Sequence, residues 1–207
     1  MRPFVFIVCW LCFGLLQSQK LIKKGVLSPA TEFIQIDAEH CYQVTLRTSN
    51  KSNEIQVEAN IEGEYAPDLL VKMEEIGTTM VISAGFQPNF TNPNDKLSAH
   101  KVISIELNIT VPEYKNVAVF GTHSRVDATG DYSALSVKLD SGTCTLNDVT
   151  ETIVVKTQKG DINVFASEGR FSANSSYGKV NKEFIPNGDT TYNLNTVEGT
   201  ILLKKTK

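Results

Sequence analysis

The sequence predicts an all-β protein whose ordered part is a β-solenoid, β-helix or β-roll in style, with rungs of about 18 residues. Three observations predict it. Five segments of the C-terminal half repeat in register, apolar residues lie two apart within each segment, and glycine recurs at one fixed position between the apolar pairs. Phe, Val, Ile, Thr and Asn recur along the chain while long runs of Leu, Ala and Glu are absent, a bias that favours strands.

The segments are VAVFGTHSRVDA from Val117, LSVKLDSGTCTL from Leu135, IVVKTQKGDINV from Ile153, FSANSSYGKVNK from Phe171 and YNLNTVEGTILL from Tyr192. The first four start 18 residues apart and the fifth starts 21 later, with 185–189 free to loop out the extra three. The first column reads Val117, Leu135, Ile153, Phe171, Tyr192, and the third reads Val119, Val137, Val155, Ala173, Leu194. The tenth reads Val126, Cys144, Ile162, Val180, Ile201. Residues two apart share one face of a strand, so each rung carries two short strands that point these side chains inward. The twelfth column is apolar except at Lys182. The turn column reads Ser124, Gly142, Gly160, Gly178, Gly199, glycine being the residue that reaches positive φ without penalty. Neighbouring rungs bury each other's inward faces, each column member contributing roughly 1.5–3 kcal/mol.

Residues 31–111 carry six further strand patterns, at 33–36, 42–46, 55–61, 69–73, 79–83 and 102–111, with Pro112 ending the last. Their spacing is less regular, so this region is expected to supply distorted first rungs or an antiparallel cap. Lys204, Lys205 and Lys207 are the charges expected to keep the far edge from pairing with other strands. The stretch 86–100 (FQPNFTNPNDKLSAH) breaks the alternation and predicts a long loop. Phe86, Phe90, Lys96 and His100 on it form a possible binding surface, against the plainer alternative that both phenylalanines tuck against the flank of the solenoid.

The start of the chain is not part of the fold. Met1-Arg2-Pro3 is a short positive start, 4–16 is an apolar run, and Gln17-Ser18-Gln19 turns polar, the layout of a secretory signal peptide over 1–18. A run this short is less than the ~20 residues of a membrane span. A linker over 19–30, an irregular β region over 31–111 and regular rungs over 112–207 follow. Export implies a periplasmic, outer-membrane-associated or extracellular location, with no transmembrane segment after signal removal. Cys41 and Cys144 then remain; Cys144 falls in an inward column as a small buried hydrophobe, and a Cys41–Cys144 bridge stays open as an alternative. A net charge of −3 excludes an electrostatic nucleic-acid binder.

The stretch from VISIELNITVP through DSGTCTLNDV, KGDINVF and YGKV to VEGTILLKK resembles the bacterial putative-adhesin family of exported domains of unknown function. That family carries a strand ending in Val-Pro followed by repeated Gly-Asp turns, and KLSAHKV (96–102) is similar to its Bacteroidetes version. The resemblance spans roughly 31–205 and implies a right-handed β-solenoid that is often envelope-associated. It carries no catalytic residues. The chain departs from the pattern at Ser124 and at Lys182. In that bacterial context the four Asn-X-Ser/Thr sequons, at Asn50, Asn89, Asn108 and Asn174, are incidental.

Chemistry-bearing motifs are sparse. His40, His100 and His123 are far apart and lack metal-ligand spacing, and the turns lack the aspartate register of a calcium roll. No nucleophile elbow, phosphate loop or dinucleotide motif occurs. Cys144 and His123 make a poor nucleophile–base pair, since one points inward and the other precedes a turn. The acids Asp127, Asp131, Asp140, Asp148 and Asp161 are the available set for a glycosidase or lyase. The positions matching Asp127, at Thr145, Asn163, Asn181 and Leu202, hold no second acid. The expectation is an exported, non-catalytic scaffold without cofactor or metal, structural or adhesive, whose partner is an envelope protein or a glycan. A carbohydrate-active enzyme and a sensory domain of an envelope-stress system are the alternatives. A chelator is expected to leave the melting temperature unchanged, and a large drop in EDTA would reinstate a metal site.

Overall fold

The computed structural model describes residues 18–51, 53–63, 66–90 and 103–206. Among them the protein is all-β. Twelve strands form one continuous sheet that bends into a nearly closed, barrel-like form. One 3-10 turn (Ala66–Asp68) interrupts the strands, and no described helix is long and apolar enough to cross a membrane. The strands are β1 (Ser18–Val26), β2 (Phe33–Asp37), β3 (Gln43–Ser49), β4 (Glu54–Gly63), β5 (Leu69–Ile76), β6 (Thr79–Phe86), β7 (Ile103–Pro112), the long, repeatedly bent β8 (Asn116–Ala166), β9 (Arg170–Ser175), β10 (Val180–Lys182), β11 (Thr191–Glu198) and β12 (Ile201–Lys205).

Parallel pairing stacks the alternating apolar residues into inward files. Ile34 of β2 lies opposite Met80 of β6 and Val117 of β8, and Ile36 lies opposite Ile82 and Val119. Val44 of β3 lies opposite Leu107 and Val126, and Leu46 opposite Ile109 and Ala128. Further on, Leu194 lies opposite both Val155 and Ala173, and Ile201 opposite both Ile162 and Val180. Turns of β8 contact each other one repeat apart: the Ser133 N–H donates to the Lys115 carbonyl, and the Ser141 hydroxyl to that of Thr122. Val119, Val137, Val155 and Leu194 are all fully buried in one core that residues from both halves of the chain build.

The spatial order of the last two repeats differs from their order in sequence. β11 lies between β8 and β9, and β12 lies between β8 and β10, so the 192–203 segment fills the place between 153–164 and 171–182. The reason is burial. Tyr192, Leu194, Ile201 and Leu203 are apolar and need cover on both sides, and all four are buried. The 171–182 segment carries Ala173 and Lys182 where the others carry larger apolar groups, and it takes the end position with Val180 exposed. There Lys182 Nζ sits 5.5 Å from the Phe171 ring centroid. The edge charge is therefore Lys182. Lys204 and Lys205, expected at the edge, pair with Phe165 and Ala166 of β8, and Lys207 lies outside the described residues. At the other end the same device recurs: β2 and β3 lie between the β6–β7 strands and the start of β8.

The N-terminal region mixes both kinds of pairing, with β2 parallel to β6, β3 parallel to β7, and β4 and β5 antiparallel on β7 and β6. Residues 19–30, assigned above to a linker, depart from that assignment. Most of them belong to β1, which pairs antiparallel with β4 from Ser18↔Glu62 to Val26↔Glu54. Only Leu21 of this strand packs against the core while Ile22 and Val26 are exposed, so its apolar alternation is weak.

The glycine column is required mainly by closeness. Only Gly142 has a positive φ, 119°. A β-carbon at Gly142 would overlap the Ser124 carbonyl oxygen, one at Gly160 that of Gly142, one at Gly199 that of Gly160, and one at Gly178 that of Gly199. The turns thus stack backbone on backbone in the order 124, 142, 160, 199, 178. Replacement of Gly160 by alanine should cost about 3 kcal/mol through overpacking against backbone. Gly77→Ala, in open space at φ +61°, should cost about 1 kcal/mol by left-handed strain alone. Urea unfolding of both variants checks the difference, and equal losses would remove closeness as the cause.

Candidate functional site

An open groove of about 720 Å³ lies on the outward face of the strands that carry Val119, Val137, Val155, Leu194 and Ala173. Side chains of a strand alternate, so the residue after each inward Val119, Val137, Val155, Leu194 and Ala173 points out. These are Phe120, Lys138, Lys156, Asn195 and Asn174, and they form one file across successive repeats. Asp37, opposite Phe120 in the ladder, extends the file at one end. Lys138 Nζ lies 5.4 Å from the Phe120 centroid, and Asn195 Nδ2 donates to Asn193 Oδ1 at 2.7 Å. Glu39, Thr122, Asp140 and Gln158 form the rim. Neither Lys138 nor Lys156 is in an ion pair among the described residues.

Beneath the groove a row of hydroxyls holds the turns. Thr157 and Thr196 each donate to the Gly160 carbonyl at 3.0 Å, and Ser175 donates to that of Gly199 at 2.7 Å. Ser124, the residue in place of glycine, is buried and its hydroxyl lies 3.0 Å from the Ala38 carbonyl and 2.7 Å from that of Cys41. The departure at Ser124 thus ties the regular turns to the wider turn of the β2–β3 segment. The same segments that reveal the apolar columns also contain the groove file, as their fourth column. It is missed when only apolar agreement is scored.

Phe86 and Phe90 stack on each other with centroids 4.1 Å apart and planes 12° apart, both half-buried. Lys96 and His100, assigned with them to a binding loop, lie outside the described residues. Ser124, Gly142, Gly160, Gly178 and Gly199 come together as the turn file. The aspartates do not converge. Asp127 accepts from Gln43 Nε2 at 2.7 Å, Asp131 from the Thr150 hydroxyl at 2.9 Å, Asp148 from that of Thr206 at 2.9 Å and Asp161 from the Thr200 N–H at 2.7 Å. Asp140 alone of the five lines the groove. No cluster of three metal-binding side chains occurs among the described residues.

Cys41 and Cys144 are both free and buried, so the alternative of a bridge between them does not hold. Burial, reinforced by Asp37, pushes the Cys41 thiol up from 9.0 to about 12. Burial, reinforced by Asp127, raises Cys144 further still. An activated nucleophile needs the opposite shift, and His123 is exposed while Cys144 is fully enclosed. Burial, with a smaller push from Asp148, raises Tyr192 from 10.0 to about 12; its hydroxyl donates to the Val149 carbonyl at 2.6 Å.

These shifts fix a pH dependence. Above pH 9.0 the unfolded thiols release protons that the folded ones retain, so the unfolded state binds fewer protons and stability falls as pH rises toward about 12. The slope should approach about 1.4 kcal/mol per pH unit for each thiol, and Cys41→Ala/Cys144→Ala should flatten it. Urea midpoints between pH 8 and 10, below the range where the raised Tyr192 adds its own slope, check this, and a double variant that keeps the wild-type slope would remove the thiols as its cause.

No protein-family model matches the chain, and no curated protein matches it in sequence. Solved structures do match. A putative cell adhesion protein from Clostridium sporogenes superposes with a TM-score of 0.59 at 15% identity, over 92% of this chain and 100% of that one. Putative adhesins from Bacteroides fragilis and Parabacteroides merdae match over 91% of this chain and over 97% and 95% of theirs, at 11% and 12% identity. Their TM-scores of 0.29 and 0.28 carry no argument about the fold. The structure neighbours of this chain are putative adhesins of clostridial and Bacteroidetes origin, and its fold is that of the Clostridium sporogenes protein.

Proposed function

We propose that the chain is an exported, non-catalytic scaffold of the cell envelope or surface that holds a partner on one flat β-face. In this proposal the backbone is a right-handed β-solenoid of 18-residue rungs, residues 1–18 are a signal peptide, and 86–100 forms a second contact loop. The observation that carries it is the outward file Phe120, Lys138, Lys156, Asn195 and Asn174, a continuous surface of side chains fixed by the ladder beneath. Four of the five aspartates available to a hydrolase, Asp127, Asp131, Asp148 and Asp161, each accept a structural hydrogen bond away from the groove. Both thiols are held neutral by burial. Likeness to a cell adhesion protein in fold agrees with a binding role but does not carry it.

Expression of the full chain in a bacterium with an export pathway tests the location. The processed protein should be recovered from the periplasm, envelope or medium with its N-terminus at or next to Gln19. A full-length chain retained in the cytosol would overturn the export assignment.

A further inference from the structure

We infer that the groove is a row of subsites for a neutral linear glycan that crosses the rungs, about one sugar residue to each rung; this rests on the binding-scaffold proposal above. Four observations lead there. First, the file advances one side chain per rung, and parallel rungs stack at about 4.8 Å, close to the length of one residue in an extended sugar chain. Second, the groove offers both donors and acceptors. Lys138 and Lys156 donate, Asp37 and Asp140 accept, and Asn195 and Asn174 do both, which suits hydroxyl groups that also do both. Third, the charges nearly cancel: Lys138 and Lys156 face Asp37, Glu39 and Asp140, so a polyanion gains no net attraction. Fourth, Phe120 is shared with an adjoining apolar bay of about 360 Å³ that Phe33, Ala118 and Val154 also line. An aromatic ring beside small apolar groups fits the C–H face of a pyranose.

An extended peptide fits less well. Peptides that add to a sheet do so at an edge, where backbone groups are unpaired. The strands that floor most of this groove are interior ones, paired on both sides. A peptide there would find side chains alone, whereas a glycan needs nothing else.

The test uses the exported protein and isothermal titration with neutral hexasaccharides, namely β-1,4-glucan, β-1,3-glucan, β-1,4-mannan and β-1,4-xylan oligomers. Hexagalacturonate and an Asn/Ser-rich hexadecapeptide are the comparators. At least one neutral hexasaccharide should bind, more tightly than its trisaccharide, with less than twofold change in Kd between 50 and 500 mM NaCl. Phe120→Ala should raise Kd at least tenfold. Lys156→Ala and Asn174→Ala, both exposed and outside the core, should each raise it at least threefold with the melting temperature unchanged. Binding only of hexagalacturonate, only of the peptide, or of nothing would overturn the glycan assignment and leave the scaffold proposal standing. Binding followed by release of new reducing ends would keep the glycan and overturn the non-catalytic role.

Discussion

Backbone contact between neighbouring turns is the constraint on which the structure depends. Where Gly142, Gly160, Gly199 and Gly178 stack, each leaves no room for a β-carbon against the carbonyl of the turn before it. That closeness fixes the spacing between neighbouring turns, and the spacing fixes the register of the strands they join. Register then decides which side chains face in, because a slip of one residue would turn Val155 outward and Lys156 inward. Hydroxyls of Thr157, Thr196 and Ser175 complete the arrangement by satisfying carbonyls that the close stacking would otherwise strand.

Much of this is written in the sequence, and the part that is not has a physical cause. Columns such as Val119, Val137, Val155 and Leu194 are legible because burial acts on each side chain separately. The order in which rungs stack is not, because ladder hydrogen bonds join backbones and are indifferent to which segment supplies them. Even so, Ala173 and Lys182 mark an end rung, as they weaken the inward face where no further rung covers it. Strand β1 escapes the apolar pattern because it lies at the outer edge of the cap, where only Leu21 meets the core.

The candidate site is a by-product of the same periodicity. Alternation sends every residue next to a core position outward, so an ordered interior creates an ordered exterior at no further conformational cost. Lys138 and Lys156 are one rung apart because Val137 and Val155 are. Side chains displayed in this way are pre-positioned by the ladder, which reduces the ordering that binding would otherwise demand. The same rule separates Asp127, Asp131, Asp148 and Asp161, each of which bonds to a neighbouring segment.

Strands β2 and β3 are flanked on both sides, and so are β11 and β12, although all four are joined to their neighbours out of sequence order. A nascent chain leaving the ribosome therefore cannot complete its interior one rung after another. The gap between 153–164 and 171–182 waits for residues that follow both segments in the chain. Until they arrive, Ile153, Val155, Ile162 and Val164 lack the neighbours that bury them, and the stack stays open. Closure of this part of the sheet therefore waits for the 191–205 segment, which must enter between strands that precede it in the chain.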